Sequence, residues 1–246
     1  MTDTPADDLK IDLRSDITVE LVKNSATDSD VLFAARVSTV GEQSLDELNK
    51  DPERSKGLIN YLMRDRHGSP FEHNSMTFFI SAPIFVFREF MRHRVGWSYN
   101  EESGRYRELQ PVFYVPGAER KLVQQGRPGK YVFVEGTAEQ HELVSRSMED
   151  SYRQAYRTYQ EMLAAGVARE VARSVLPVGL YSSMYATCNA RSLMHFLGLR
   201  TQHELAKVPS FPQREIEMVG EKMEQEWARL MPLTYAAFNA NGRVAP

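Results

Sequence analysis

The sequence predicts a single α+β domain with more helix than strand. Several long stretches carry helical periodicity, shorter ones are apolar or alternate between apolar and polar residues, and no repeat or change of composition marks a linker. The 246 residues are enough to bury a large core, and the 42% hydrophobic and 26% charged fractions are ordinary for a globular protein.

The N-terminal part of the chain is predicted to be a tail followed by a strand and two helices. Residues 1–13 are polar and are expected to form a flexible tail, so that the domain spans residues 14–246. Residues 17–21 alternate between apolar and polar side chains, as in a half-buried strand. Capping residues from Thr27 and apolar periodicity over 53–67 predict the two helices.

The middle of the chain is predicted to hold an apolar strand and two helices. Residues 76–81 are aromatic and apolar, and Pro83 suits the start of a helix over 84–94. Large apolar and aromatic residues recur at helical spacing over 143–163, and Gly166 is a natural helix end. The remaining elements are predicted as an exposed loop at 124–131, helices at 168–176, 188–200 and 212–231, and a strand at 179–187.

Composition and missing motifs exclude several classes of protein. The net charge of −3 argues against a nucleic-acid-binding coat, and no apolar run approaches the roughly 20 residues that span a bilayer. The acidic N-terminus lacks a signal peptide's apolar core, and one cysteine fits a reducing compartment, so we expect a cytoplasmic protein. There is no GxGxxG, HxxxH or CxxC spacing, and no metal site is predicted. Cys188 is expected to be a buried core residue rather than a nucleophile.

An arginine-rich segment is the strongest candidate for a binding site. Arginine grips phosphate with a planar fork and stacks on flat rings, and the small residues Ser103 and Gly104 let backbone N–H groups approach a phosphate. Asn100, Glu101 and Glu102 add hydrogen-bonding groups suited to a ribose or a base. The pattern predicts a site for a phosphorylated ring compound, with a solvated helix end carrying scattered ion pairs as the alternative. The segment contains Arg88, Arg92, Arg94, Arg105 and Arg107, together with His93, Trp97, Tyr99 and Tyr106.

A second polar group lies in the otherwise apolar stretch 188–200. Arg191 and His195 share one face of the predicted helix, Asn189 lies at its start and Arg200 at its end. An arginine buried in such a helix is costly without an anion or acceptor, which favours binding. Arg173 is a third candidate of this kind, for which a structural ion pair is the alternative.

The arginine-rich segment, with RHR followed by eight residues and then Ser103, Gly104 and Arg105, resembles the signature of flavin-dependent thymidylate synthases. The resemblance extends over most of the chain beyond about residue 17, through AARVS (34–38), GSPFEH (68–73), APIF (82–85), EVARSVLP (170–177) and CNARSLMHFLGLR (188–200). It implies a fold with a central, mostly antiparallel sheet flanked by helices, and a homotetramer. The implied reaction converts dUMP to dTMP with methylenetetrahydrofolate, NADPH and FAD.

The resemblance also implies roles for individual residues. Arg200 is the candidate catalytic residue, at the edge of the pyrimidine. Glu89 stands where the family commonly has Gln, and the segment 201–214, with His203, is longer than the family version. The implied FAD-binding residues are Ser38, Ser69, Glu72, Arg92, His93, Arg94, Val95, Asn189 and His195. The implied nucleotide-binding residues are Glu89, Arg92, Glu101, Glu102, Ser103, Gly104, Arg105, Arg173 and Arg200.

Two other functions remain open at this point. An enzyme of the same fold could methylate UMP or another uridine nucleotide in specialised metabolism. A non-catalytic module could instead hold single-stranded nucleic acid, with arginines on phosphates and aromatic rings on bases. The acidic net charge and the arginines in an apolar helix count against the second alternative.

Overall fold

The computed structural model describes residues 9–41, 51–128 and 130–246. The described chain divides into two compact units, each assembled from stretches that are separate in sequence. Of the described residues, the first unit draws on 9–16, 81–88, 101–128 and 130–183, and the second on 17–41, 51–80, 89–100 and 184–246.

The described strands form one four-stranded sheet and two small pairs. The large sheet has the order β2, β3, β8, β4, while β1 pairs in parallel with β5 and β6 pairs in antiparallel with β7. The strands are β1 (Asp12–Arg14), β2 (Thr18–Asn24), β3 (Met76–Pro83), β4 (Trp97–Glu101), β5 (Val112–Tyr114), β6 (Val123–Arg127), β7 (Lys130–Val134) and β8 (Tyr181–Cys188).

The described helices confirm the predicted excess of helix over strand. None of them is both long enough and apolar enough to cross a membrane. They are α1 (Asp28–Val40), α2 (Pro52–Arg64), α3 (Ile84–Phe90), α4 (Ala138–Ala164), α5 (Arg169–Ala172), α6 (Ala190–Arg200), α7 (Arg214–Leu230) and α8 (Pro232–Ala240), with short 3-10 turns at Ser69–Glu72 and Arg173–Val175.

The core of the first unit lies against the long helix α4. Thr137 and the side chain of Gln140 cap its start reciprocally, and Gly166 takes a φ of 82° just past its end. Its buried tyrosines stack on Phe113 and bind the backbone of Leu109, since Tyr156 Oη donates to the Leu109 carbonyl at 3.1 Å. Leu109 is thereby held in place at the end of the arginine-rich segment.

The core of the second unit packs α6 against α7. Phe196 and Trp227 are fully buried, and Gly220 lies where a Cβ would meet the methyl group of Thr201. Arg243 is also buried and donates two hydrogen bonds to the carboxylate of Glu224, at 2.6 and 2.8 Å. The same guanidinium donates at 3.1 Å to Oγ1 of Thr201, the residue that directly follows α6.

Some elements differ from the sequence expectation. Helix α3 ends at Phe90, four residues before the predicted end at Arg94, and the chain then turns. Asp12 and Leu13, predicted within the tail, lie in β1, because Leu9, Ile11 and Leu13 present an apolar side to the core of the first unit. The predicted loop at 124–131 forms the β6–β7 hairpin, apart from residue 129, which lies outside the described part of the chain.

Candidate functional site

The first unit contains a cavity of about 410 Å³ whose walls combine carboxylates, an arginine and apolar side chains. The lining comes from the start of α3, the end of β4 and the loop that follows it, α5 and the turn after it, and the start of β8. The lining residues are Ile84, Glu101, Glu102, Gly104, Leu109, Glu170, Arg173, Ser174, Leu176, Leu180 and Ser182. Four of the predicted nucleotide-binding residues, Glu101, Glu102, Gly104 and Arg173, are therefore together in one concave site.

The two neighbouring glutamates of this cavity have different surroundings. Glu102 is held on both sides, since Arg107 Nε lies 3.0 Å from its Oε1 and Ser183 Oγ donates to its Oε2 at 3.3 Å. Glu101 is exposed, yet the protein around its carboxylate desolvates it in part and raises its pKa, against a hydrogen bond from Ser182 and the charge of Arg173. Glu101 is the carboxylate left to accept from a ligand hydroxyl.

The turn at Ser103 places Gly104 in the cavity wall. The Ser103 carbonyl accepts from the N–H groups of Tyr106 and Arg107, at 3.0 and 3.2 Å, and Gly104 is buried. Arg105 donates from Nε to Glu170 at 3.0 Å, so its charge is partly engaged by the protein. Sequence reasoning missed Glu170, Ser174 and Ser182; only the alternation of β8 could have pointed to Ser182.

Replacing Gly104 by alanine is expected to weaken nucleotide binding. A Cβ at this position would lie 2.8 Å from Leu109 Cδ1 and 3.2 Å from Arg173 Cδ, so one of these side chains must move. Because Arg173 lines the cavity, we expect the KM for nucleotide to rise by about tenfold, in line with the 1–3 kcal/mol that overpacking costs.

The matched control is Gly57→Ala in α2, where an added Cβ has nothing within 4 Å. Steady-state kinetics of both variants decide the point, and an unchanged KM for Gly104→Ala would show that this wall does not meet the nucleotide.

The second unit holds the other half of the arginine-rich segment. Arg92, Arg94 and Val95 follow α3 in a tight turn and are exposed, Val95 to 90%. Gly96 closes the turn with a φ of 69°, and a Cβ there would collide with the hydroxyl of Ser192. Ser192 Oγ donates to the Val95 carbonyl at 3.0 Å and fixes the turn on α6.

Arg200 lies at the centre of a polar cluster at the end of α6. Its Nε donates to His93 Nε2 at 3.1 Å, its Nη1 donates to Glu89 Oε2 at 2.5 Å, and its Nη2 donates to the Glu89 carbonyl at 3.3 Å. Burial, with the charge of Arg200 and the proximity of His195, lowers the pKa of His93 to about 4, so the imidazole is neutral near pH 7. Since His93 Nε2 accepts, its proton is on Nδ1.

The second unit also contains the remaining residues predicted to bind flavin, which are Ser38, Ser69, Glu72, Asn189 and His195. Arg191 Nη1 donates to Glu72 Oε1 at 2.5 Å and its Nε donates to the Pro246 carbonyl at 2.7 Å. The side chain of His195 is exposed, but the protein around it still desolvates the ring in part. This desolvation, together with the positive charges of Arg191 and Arg66, lowers the pKa of His195. Asn189 caps α6 by accepting from Ser192 N at 2.9 Å.

Ser69 and Ser38 are exposed, and Ser38 Oγ donates to the Ala35 carbonyl at 3.2 Å. The arginines of α6, which the sequence predicted to be buried, are only partly buried. Arg191 and Arg200 keep 37% and 20% of their side chains exposed, because the helix brings them to its ends, where carboxylates pair with them.

Comparison with known proteins decides the family. A sequence model described as thymidylate synthase complementing protein matches residues 20–233. A flavin-dependent thymidylate synthase of Streptomyces coelicolor is 92% identical over the whole of both chains. The chain belongs to the flavin-dependent thymidylate synthases.

Further relatives and solved structures agree with this membership. A flavin-dependent thymidylate synthase of Tropheryma whipplei is 60% identical over 94% of this chain and 96% of its own. The UMP/dUMP methylase PolB of Streptomyces cacaoi, bound with 5-Br dUMP, is 59% identical and superposes with a TM-score of 0.90 over 96% of this chain and 100% of its own. The same methylase bound with 5-Br UMP gives a TM-score of 0.88.

Membership in the flavin-dependent thymidylate synthases confirms several predictions. The protein is an enzyme, a methyltransferase and a flavoprotein of dTMP biosynthesis, and its fold is the predicted α+β arrangement of helices and a mostly antiparallel sheet. The alternative hypothesis, that the arginine-rich segment belongs to a non-catalytic nucleic-acid-binding module, is therefore dropped. The roles of individual residues stay predictions.

Proposed function

We propose that this enzyme methylates C5 of dUMP reductively to give dTMP, with methylenetetrahydrofolate as carbon donor, NADPH as reductant and FAD as its flavin. The main support for this proposal is the cavity of the first unit, where one concave surface is lined by Glu101, Glu102, Gly104 and Arg173. The volume of about 410 Å³ suits a nucleotide-sized ligand. Arg173 offers a charge for the phosphate, and Glu101 offers an acceptor for a sugar hydroxyl.

The donors of the second unit suit FAD. Among the residues that the structure describes, neither Arg92 nor Arg94 forms an ion pair, and both are exposed as a diphosphate requires. The exposed face of Val95 suits a flat ring. A Cβ at Gly68 would lie 2.5 Å from the Arg191 guanidinium, so only glycine leaves that arginine in its place. Ser38, Ser69, Glu72, His93, Asn189 and His195 complete the proposed set.

The chain's own residues bind and polarise rather than attack. Bound FAD supplies hydride transfer and one-carbon relay. C5 of uracil is weakly nucleophilic, and a guanidinium at the pyrimidine edge stabilises the charge that develops on oxygen, which is the role we give to Arg200. Cys188 is not a nucleophile, because it is buried and desolvation raises the pKa of its thiol.

Two further properties belong to the proposal. We propose a homotetramer, by resemblance to the family, and a cytoplasmic location, because a single cysteine fits a reducing compartment. Size-exclusion chromatography with light scattering tests the first, and a monomeric or dimeric mass contradicts it.

A second substrate is favoured by one observation. The solved relative at 59% identity is a methylase of both UMP and dUMP, so UMP is the competing nucleotide for this chain. Tritium release from C5-labelled dUMP and UMP compares them directly. We expect a higher kcat/KM with dUMP, and preference for UMP would overturn the substrate assignment.

The flavin is identified separately from the substrate. Purified protein is expected to be yellow, and heat-released flavin is expected to run as FAD on chromatography. A preparation that stays colourless after incubation with FAD, or that releases FMN, contradicts the FAD assignment.

A further inference from the structure

The guanidinium of Arg200 is fixed by hydrogen bonds to other parts of the protein. A guanidinium has five N–H donors, and three of them are used on Glu89 and His93. One hydrogen bond is donated by Nε and the other two by the terminal nitrogens. The plane of the guanidinium therefore cannot rotate without breaking at least one of these hydrogen bonds. Among the described residues the other two donors have no acceptor, so they are available to a ligand.

The acceptors are themselves held. Tyr99 Oη donates to the His93 carbonyl at 2.6 Å, and the His93 ring packs on Phe196 with centroids 4.9 Å apart. Glu89 is the second-last residue of α3 and contributes both its carboxylate and its own carbonyl to Arg200. This ion pair keeps only 20% and 27% of its two side chains exposed, so it is screened less than a surface pair.

We propose that Glu89 is a positioning residue for Arg200: its carboxylate and carbonyl hold the guanidinium in the orientation used in the reaction, and it acts through that arginine rather than by touching the nucleotide. The proposal rests on the proposed function, and it gives Glu89 a role different from the nucleotide contact that the family resemblance implies. His93 holds the opposite edge of Arg200 as a neutral acceptor.

The charges around Glu89 set a pH dependence. Glu89 faces Arg200 from α6 and Glu215 from α7, with His93 on the far side of Arg200. Desolvation raises the pKa of Glu89, Arg200 opposes this, and Glu215 adds to it. As pH falls through that raised pKa, Glu89 becomes neutral and its hold on Arg200 weakens, so turnover falls on the acid side. An amide at this position does not titrate.

The test compares Glu89→Ala and Glu89→Gln with the wild-type holoenzyme, by tritium release from C5-labelled dUMP. We expect Glu89→Ala to lower kcat by about 10- to 100-fold while the KM for dUMP changes by less than about threefold, as for an interaction used in the transition state. Glu89→Gln keeps an acceptor oxygen and is expected to recover part of kcat. Its kcat–pH profile should lack the acid limb of the wild type.

Two controls separate positioning from general damage. Glu221→Gln removes the charge from an exposed ion pair with Arg214 on α7 and is expected to change neither kcat nor the acid limb. In an Arg200→Lys background, Glu89→Gln is expected to have a much smaller effect than in the wild type, because residues that act as a unit are not additive.

The contrary outcomes are distinct from one another. A raised KM with unchanged kcat would make Glu89 a substrate contact, and an acid limb that persists in Glu89→Gln, additive effects with Arg200→Lys or a loss of flavin from Glu89→Gln would each overturn the positioning role. Failure of the proposed function shows elsewhere, as wild-type enzyme that releases no tritium from dUMP.

Discussion

Arg200→Ala is expected to lose turnover by about 10²- to 10³-fold while the protein keeps its flavin, since this is what removal of one donor to a developing oxyanion costs. The flavin should stay because neither Arg92 nor Arg94, proposed to bind it, is a partner of Arg200 in these hydrogen bonds. His93, also in the proposed set, loses the donor to its Nε2 but stays held by Tyr99 at its carbonyl and by Phe196 at its ring. Flavin absorbance and tritium release measured on the same sample check both halves of the expectation.

The control for this variant is Arg214→Ala, which removes an exposed arginine from α7 and should leave turnover and flavin content unchanged. Unchanged turnover in Arg200→Ala would remove Arg200 from the mechanism. Joint loss of flavin and turnover would instead assign it to cofactor binding.

Arg243→Ala is expected to lower the free energy of unfolding by about 3–5 kcal/mol, because it leaves a carboxylate buried without its cation. The Arg243 side chain is 1% exposed and that of Glu224 is 12% exposed, so water can do little to replace the lost pair. Thr201 Oγ1 and Asn239 Oδ1 lose their donor in the same step. Urea titration of the purified variant measures the loss.

Arg229→Ala is the matched control, since that arginine pairs with Glu226 at the surface and is 68% exposed. Its loss is expected to cost about 0–1 kcal/mol. The double variant Arg243→Met with Glu224→Leu should recover part of the stability, because it removes both charges together. Equal losses for Arg243→Ala and Arg229→Ala would refute the structural importance of the buried pair.

Elements with strong local signals were predictable from the sequence. The periodicity over 143–163 and the glycine at 166 predicted α4, and the capping residues at Thr27 predicted α1. The end of α3 at Phe90 was not predictable, because the residues after it continue a helical pattern and only tertiary contacts, such as that of Tyr99 with the His93 carbonyl, favour the turn.

The candidate site was predictable in part, for a similar reason. The arginines, Glu101 and Gly104 stood out as a dense run of unusual composition. The engagement of Arg107 by Glu102 and of Arg105 by Glu170 could not be read from sequence, because residue spacing does not say which charges the protein neutralises itself. Single serines such as Ser182 carry no local signal, and only the fold brings that residue to the cavity.

The discontinuous second unit has a consequence for the order in which the molecule can form. All the stretches of the first unit have been synthesised once residue 183 is made, whereas the second unit still lacks residues 184–246. Its N-terminal stretch waits for partners far along the chain, since Lys222 Nζ donates to the Ile17 carbonyl and Thr234 Oγ1 donates to Asp28, 205 and 206 residues away. Contacts of such sequence separation form slowly, so the nascent chain passes through a stage in which the second unit's apolar surfaces are uncovered and open to chaperones.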